Sequence, residues 1–148
     1  MKLNQQDIMK ILPHRPPMLL IEEGELVDGV SICKYTVKGD EFFLQGHFPG
    51  NPVVPGIIQC EMMAQASCLL VEKKDDKNDK NDKDDNAPAI PYFTGMEKVR
   101  FKRVVVPGDT ITLKSELTKQ KGMFYFVKCT GHVGDELCCA AEISFAIK

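Results

Sequence analysis

A chain of 148 residues is long enough to bury most of the apolar surface that its unfolded form exposes, so one domain spanning residues 1–148 is expected. Hydrophobic residues make up 43% and charged residues 27%, which excludes global disorder and a fibrous architecture. The formal charge of −2 supplies no long-range positive field, so phosphate-driven binding to nucleic acid is not the expected task.

The start, Met1 to Asp7, lacks the apolar core of a secretion signal, and no apolar stretch nears the ~20 residues that a spanning helix needs. A cytoplasmic protein outside the membrane is expected. Its six cysteines (Cys33, Cys60, Cys68, Cys129, Cys138, Cys139) fall unevenly in apolar segments, as reduced core thiols do, and without the paired spacing of a zinc site.

Asn4 followed by Asp7, with Ile8, Ile11 and Leu12 on one face, predicts a capped short helix stopped by Pro13. Two strand-like runs follow, Met18–Ile21 and Val30–Val37, with Asp28-Gly29 as a hairpin turn between them. The segment Gly46 to Gly56 holds three prolines and three glycines, with His47 and Phe48 near its start, which predicts a shaped loop. From Ile57 to Lys73 there is no proline or glycine, and apolar side chains stand on every side: a helix buried by surrounding structure. Residues 73–86 contain only Lys, Asp and Asn, and such a run has nothing to offset the entropy of ordering, so a disordered insert is expected there. The remainder, Tyr92 to Lys148, alternates as an antiparallel meander with turns near Pro107-Gly108-Asp109 and Lys121-Gly122. The plan is α+β, and a curved antiparallel sheet wrapped around the one long helix is the economical way to bury it.

Helical spacing puts Glu61 on one stripe with Ile57, Ala64 and Cys68, a carboxylate on an apolar face. Burial penalises the ionised form, so this group is a candidate proton donor. The alternatives are escape to solvent or pairing with Gln65, one turn on. His47, aimed by a rigid loop just ahead of the helix, is a candidate base, whereas His14 and His132 read as structural or exposed. The amides at the start of the helix, near Gly56, are candidate donors to a developing negative charge. Base, acid and oxyanion site together suit enolisation of a thioester and loss of a β-hydroxyl, with no metal or redox cofactor.

Leu12-Pro13-His14-Arg15-Pro16-Pro17-Met18-Leu19-Leu20, the segment Gly46 to Gly56, Glu61-Met62-Met63-Ala64-Gln65, Tyr92 to Arg103 and Pro107-Gly108-Asp109 together resemble the Z-type β-hydroxyacyl-(acyl carrier protein) dehydratases of bacterial type II fatty-acid synthesis. Nearly everything outside the Lys/Asp/Asn insert takes part. The resemblance implies a hot-dog fold and a (3R)-hydroxyacyl-[acyl-carrier-protein] dehydratase that yields a trans-2-enoyl product. It also implies a homodimer in which each site combines His47 of one subunit with Glu61 of the other, and a trimer of such dimers. By the same resemblance, the Gly56 amide faces the thioester carbonyl and the Val53 carbonyl orients the histidine. Related A-type dehydratase-isomerases carry Asp where Glu61 stands, so isomerase activity is disfavoured.

Strand periodicity would send Lys98, Arg100 and Lys102 to one face beside Arg103, a positive stripe that suits an acidic carrier protein or merely a solvated outer face. A thioesterase and a hydratase of coenzyme A thioesters would share the fold, and an acyl-thioester sensor is a non-enzymatic alternative that would need a DNA-binding module.

Overall fold

A computed structural model describes residues 1–71 and 87–147. The expected disordered insert at 73–86, and the part of the predicted helix beyond Val71, lie outside the described residues. In chain order the elements are β1 (Lys2–Leu3), α1 (Gln5–Ile11), β2 (Glu23–Val27), β3 (Val30–Thr36), a 3-10 turn (Phe42–Leu44), α2 (Gly56–Cys68), β4 (Pro91–Phe101), β5 (Thr110–Lys121), β6 (Phe124–Val133) and β7 (Glu136–Ile147).

Helix α1 starts where its cap directs. The Asn4 side chain accepts from the Asp7 amide and the Asp7 carboxylate accepts from the Asn4 amide, a reciprocal arrangement whose cap is worth about 1 kcal/mol. Its inward residues Ile8 and Leu12 are buried. Asp28 and Gly29 both have positive φ, 49° and 78°, as a tight two-residue turn of the right twist requires, and they join β2 to β3 with Val27 opposite Val30.

Every paired strand is antiparallel, in the order β1-β2-β3-β5-β6-β7-β4. The sheet curls round α2, which packs on β3, β5, β6 and β7. This is the hot-dog arrangement, and the reason lies in α2: Cys60, Met62, Met63, Ala64, Ala66 and Cys68 are all buried, so most of its circumference has to be covered. Ser67 and the Ala66 carbonyl, buried on this helix, both find partners. The Ser67 hydroxyl donates to the Met63 carbonyl at 2.7 Å, and Ser31 of β3 donates to the Ala66 carbonyl at 2.7 Å.

Three expectations are corrected. Met18–Ile21 is not a strand: the Met18 and Leu19 amides donate to the Arg15 carbonyl in a turn, and this apolar run, buried from Leu19 on, instead bonds a side chain of α2. The last four strands are not one meander. Strands β5, β6 and β7 are consecutive neighbours, but β4 crosses to the far edge and pairs with β7, so Pro107-Gly108-Asp109 connects across the sheet instead of closing a hairpin. Finally, α2 ends at Cys68 with Leu69 as its cap, where a continuation to Lys73 was expected.

The 3-10 turn that leads to His47 is anchored by Glu41, whose carboxylate accepts from the Lys38 and Gly39 amides and from the Tyr35 hydroxyl. Burial works against its charge, yet these donors outweigh it and hold the carboxyl below the usual glutamate range. The stabilisation is therefore complete above the ordinary glutamate value of about 4.3 and is lost as pH falls through the lower folded value. Glu41→Gln is expected to lower the melting temperature by roughly 3 °C at pH 7, with the gap to wild type closing in acid; a constant gap from pH 7 to pH 3 in thermal scans would rule out the ionised form as its source.

All six cysteines are free and buried, as expected of core thiols. Burial pushes the thiols of Cys33, Cys68 and Cys139 up to about 12, so almost no thiolate forms near neutral pH. Native protein treated with iodoacetamide at pH 8 should keep these three unmodified for as long as it takes the urea-unfolded chain to be fully alkylated. Mass spectrometry would detect early labelling of any of them, which would contradict their protection.

Candidate active site

The loop 47–53 closes on itself. The His47 amide donates to the Leu44 carbonyl, the Val53 amide donates to the His47 carbonyl at 2.9 Å, and Phe48 and Asn51 exchange backbone hydrogen bonds at 3.0 and 2.9 Å. Gly50 supplies the positive φ of 70° that this short return needs. The loop is thus held by its own backbone, and the ring of His47 is fixed from two sides: it stacks on Phe48 with centroids 4.1 Å apart, and its Nδ1 lies 3.0 Å from the Val53 carbonyl oxygen. A carbonyl can only accept, so Nδ1 carries the proton and Nε2 keeps its lone pair, which makes the ring a base.

His47 lines a cavity of about 380 Å³ with Val53, Val54, Gly56, Gln59 and Phe101, and with Lys102 and Arg103 at its rim. Helix α2 begins at Gly56, so the Gly56 and Ile57 amides precede the first intrahelical acceptor. The Phe101 ring lies so close to Gly56 that a Cβ there would stand 2.8 Å from it. Only glycine lets the helix start approach this ring.

Glu61 lines a different cavity of about 240 Å³, with His14, Ala64, Gln65, Cys68, Tyr92 and Phe145. Along α2, Gly56 and Gln59 face the first cavity while Glu61, Ala64, Gln65 and Cys68 face the second, roughly 160° round the helix at 3.6 residues per turn. Within one chain, then, His47 and Glu61 belong to opposite sides of α2. The Glu61 side chain is 21% exposed and is paired, since Gln65 Nε2 donates to its Oε1 at 2.9 Å.

Sequence reading passed over His14, whose Nε2 lies 3.5 Å from Glu61 Oε1. A signal was available. Pro13, Pro16 and Pro17 stiffen the segment around His14 just as prolines stiffen the loop of His47. Arg15 completes the effect, its guanidinium donating to the carbonyls of Met9 (3.0 Å), Leu12 (2.9 Å) and His14 (2.7 Å).

The four basic residues do not form one even stripe. A bulge between Glu97 and Arg100, with Lys98 at φ 52°, breaks the alternation of β4. Lys98 reaches Glu142 at 3.5 Å, and Arg103 is tied to Asp109 at 3.0 Å and Glu136 at 3.2 Å. Arg100 is exposed, and Lys102 stands at the rim of the His47 cavity.

A family model described as a FabA-like domain matches residues 12–142. The chain is 42% identical over 147 residues to a 3-hydroxyacyl-[acyl-carrier-protein] dehydratase FabZ of Caldicellulosiruptor saccharolyticus, covering 95% of this chain and 96% of that protein. It is 42% identical over 144 residues to the protein of the same name from Oenococcus oeni, covering 96% and 97%. Among solved structures, a chain of the dehydratase heterocomplex ApeI:P from Xenorhabdus doucetiae matches with a TM-score of 0.75 at 21% identity, covering 95% of this chain and 90% of that one.

Proposed function

The chain belongs to the FabA-like family, and we propose that it acts as its FabZ relatives are named to act, as a 3-hydroxyacyl-[acyl-carrier-protein] dehydratase of fatty-acid biosynthesis. It is a hydro-lyase. The observation that carries the catalytic reading is the His47 ring, whose Nδ1 is committed to the Val53 carbonyl and whose Nε2 is thereby left as a base in an apolar cavity next to the first amides of α2.

In the reaction, neutral His47 takes the α-proton of the β-hydroxyacyl thioester. The Gly56 amide holds the negative charge that develops on the thioester oxygen, where a pre-aimed donor in a dry site is worth far more than in water. Glu61 donates a proton to the departing β-hydroxyl, which leaves as water, and a trans-2-enoyl thioester remains. The carboxylate and the imidazolium then exchange a proton to restore the resting state. No cofactor enters this scheme. Glu61 in place of Asp speaks for dehydration without isomerisation.

Because the two groups face opposite sides of α2, the complete site is composite: His47 of one subunit meets Glu61 of a second copy. Two features support a homodimer. Ile57, on the same stripe as Glu61, is 73% exposed in the single chain, and β4 is an edge strand of 11 residues along which Tyr92, Phe93, Met96 and Phe101 are about half exposed. A long apolar edge of this kind is covered by a partner in working proteins. Assembly into a trimer of dimers, and a cytoplasmic setting where the acyl carrier protein is met, complete the reading. Among the described residues no helix is long and apolar enough to cross a membrane.

Incubation with β-hydroxybutyryl carrier protein should produce enoyl absorbance without free thiol, whereas release of thiol would mean a thioesterase. His47→Ala and Glu61→Gln should each lower turnover by about 100-fold or more. Mixed from equal amounts of the two variants, dimers should regain about a quarter of wild-type activity, since half are mixed and each mixed dimer rebuilds one of two sites; no recovery after verified subunit exchange would place both residues in one chain's site. Charge reversal at Arg100 or Lys102 should raise the Michaelis constant for carrier-bound substrate more than for a small thioester, and equal effects would remove these residues from carrier docking.

A further inference from the structure

We infer that His14 is a positioning residue for the acid: together with Gln65 it holds Glu61 Oε1 as an acceptor, so that the transferable proton resides on Oε2. This rests on the reading of Glu61 as the acid and goes further, because it assigns the proton to one oxygen and names the side chain that keeps it there.

Two backbone groups with fixed hydrogen-bonding roles orient the Gln65 amide. The Leu20 amide can only donate, and it points at Gln65 Oε1 at 2.8 Å. The Met18 carbonyl can only accept, and it lies 2.8 Å from Gln65 Nε2. Together they fix which end of the Gln65 amide is oxygen and which is nitrogen. The second hydrogen of that nitrogen is then directed at Glu61 Oε1, 2.9 Å away. An oxygen that receives an amide hydrogen along this line cannot carry a proton toward it, so any proton on Oε1 would have to point at its other neighbour, His14.

The same constraint passes on to His14. Its Nε2 faces Oε1 at 3.5 Å, and if that nitrogen is a donor, both in-plane positions of Oε1 receive hydrogens and Oε2 bears the proton of the neutral acid. His14 Nδ1 is buried and meets no partner. A buried N–H with no acceptor is the costlier way to leave a nitrogen unpaired, so the proton of the neutral ring belongs on Nε2, aimed at Glu61. At 3.5 Å the contact is longer than a formed hydrogen bond, and catalytic contacts of this kind tighten when the substrate-bound state forms. Arg15 makes that possible by holding the His14 carbonyl, and with it the ring, beside the helix.

The consequence is chemical. When Glu61 gives up the Oε2 proton inside an apolar cavity, the new carboxylate finds two donors already in place on its other oxygen. Neither has to reorganise during the step. His14 acts through Glu61 and need not touch the substrate.

His14→Phe removes the donor and keeps the bulk of the ring, and it should lower kcat about 10-fold, the size of one charge-assisted hydrogen bond, with KM and melting temperature unchanged. His14→Gln, whose amide nitrogen reaches to the same distance as Nε2, should restore most of that loss. In a Glu61→Gln background, His14→Phe should have no further effect. Wild-type kcat in His14→Phe, a change confined to KM, failure of the glutamine variant to restore activity, or an equal further loss in the Glu61→Gln background would each overturn the inference. Should the phenylalanine variant not fold, nitrogen-15 NMR of the wild-type histidine rings decides: the proton of His14 is expected on Nε2, and finding it on Nδ1 overturns the inference. Near-wild-type activity of Glu61→Gln alone would refute the acid assignment itself, a distinct failure.

Discussion

A helix that is apolar on every side cannot lie on a surface, and α2 imposes that condition on the rest of the molecule. Its buried ring of Cys60, Met62, Met63, Ala64, Ala66 and Cys68 has to be covered through nearly a full turn of azimuth, which only a strongly curved sheet does with so few residues. The long strands β5, β6 and β7 supply the curvature. What they leave uncovered is the stripe that carries Ile57 and Glu61, and the Glu61 cavity lies at that gap.

Within this constraint Gln65 does the work of a structural joint. It is buried, and each of its polar atoms is used: two bonds fasten the segment Met18–Leu20 to the helix and one fastens Glu61. The segment that precedes β2 therefore substitutes for a strand neighbour by bonding to a side chain. The same joint brings His14 to Glu61. A polar group in the core is costly unless fully bonded, and here its full bonding also sets the direction of the Glu61 carboxyl.

Local rules were legible in the sequence where a single interaction decides the outcome. The Asn4/Asp7 cap, the Asp28-Gly29 turn, the prolines and glycines of the His47 loop and the all-round apolar pattern of α2 each point to the element that forms. The readings that failed depend on partners far away in the chain. Met18–Ile21 has the composition of a strand, but its first two amides turn back to Arg15 and the Leu20 amide is taken by a glutamine 45 residues later. The alternation of β4 predicts a strand without saying that it crosses to β7, and the bulge at Lys98 has no signature in residue types. His14 was set aside because a lone histidine is weak evidence, although its proline-rich flanks carried the same information that singled out His47.

Among the described residues, strand β4 has a pairing neighbour on one side alone, which leaves the other row of its backbone hydrogen-bonding groups open. Such an edge is adhesive toward any extended backbone that reaches it, so whatever covers β4 also guards the fold against stray pairing.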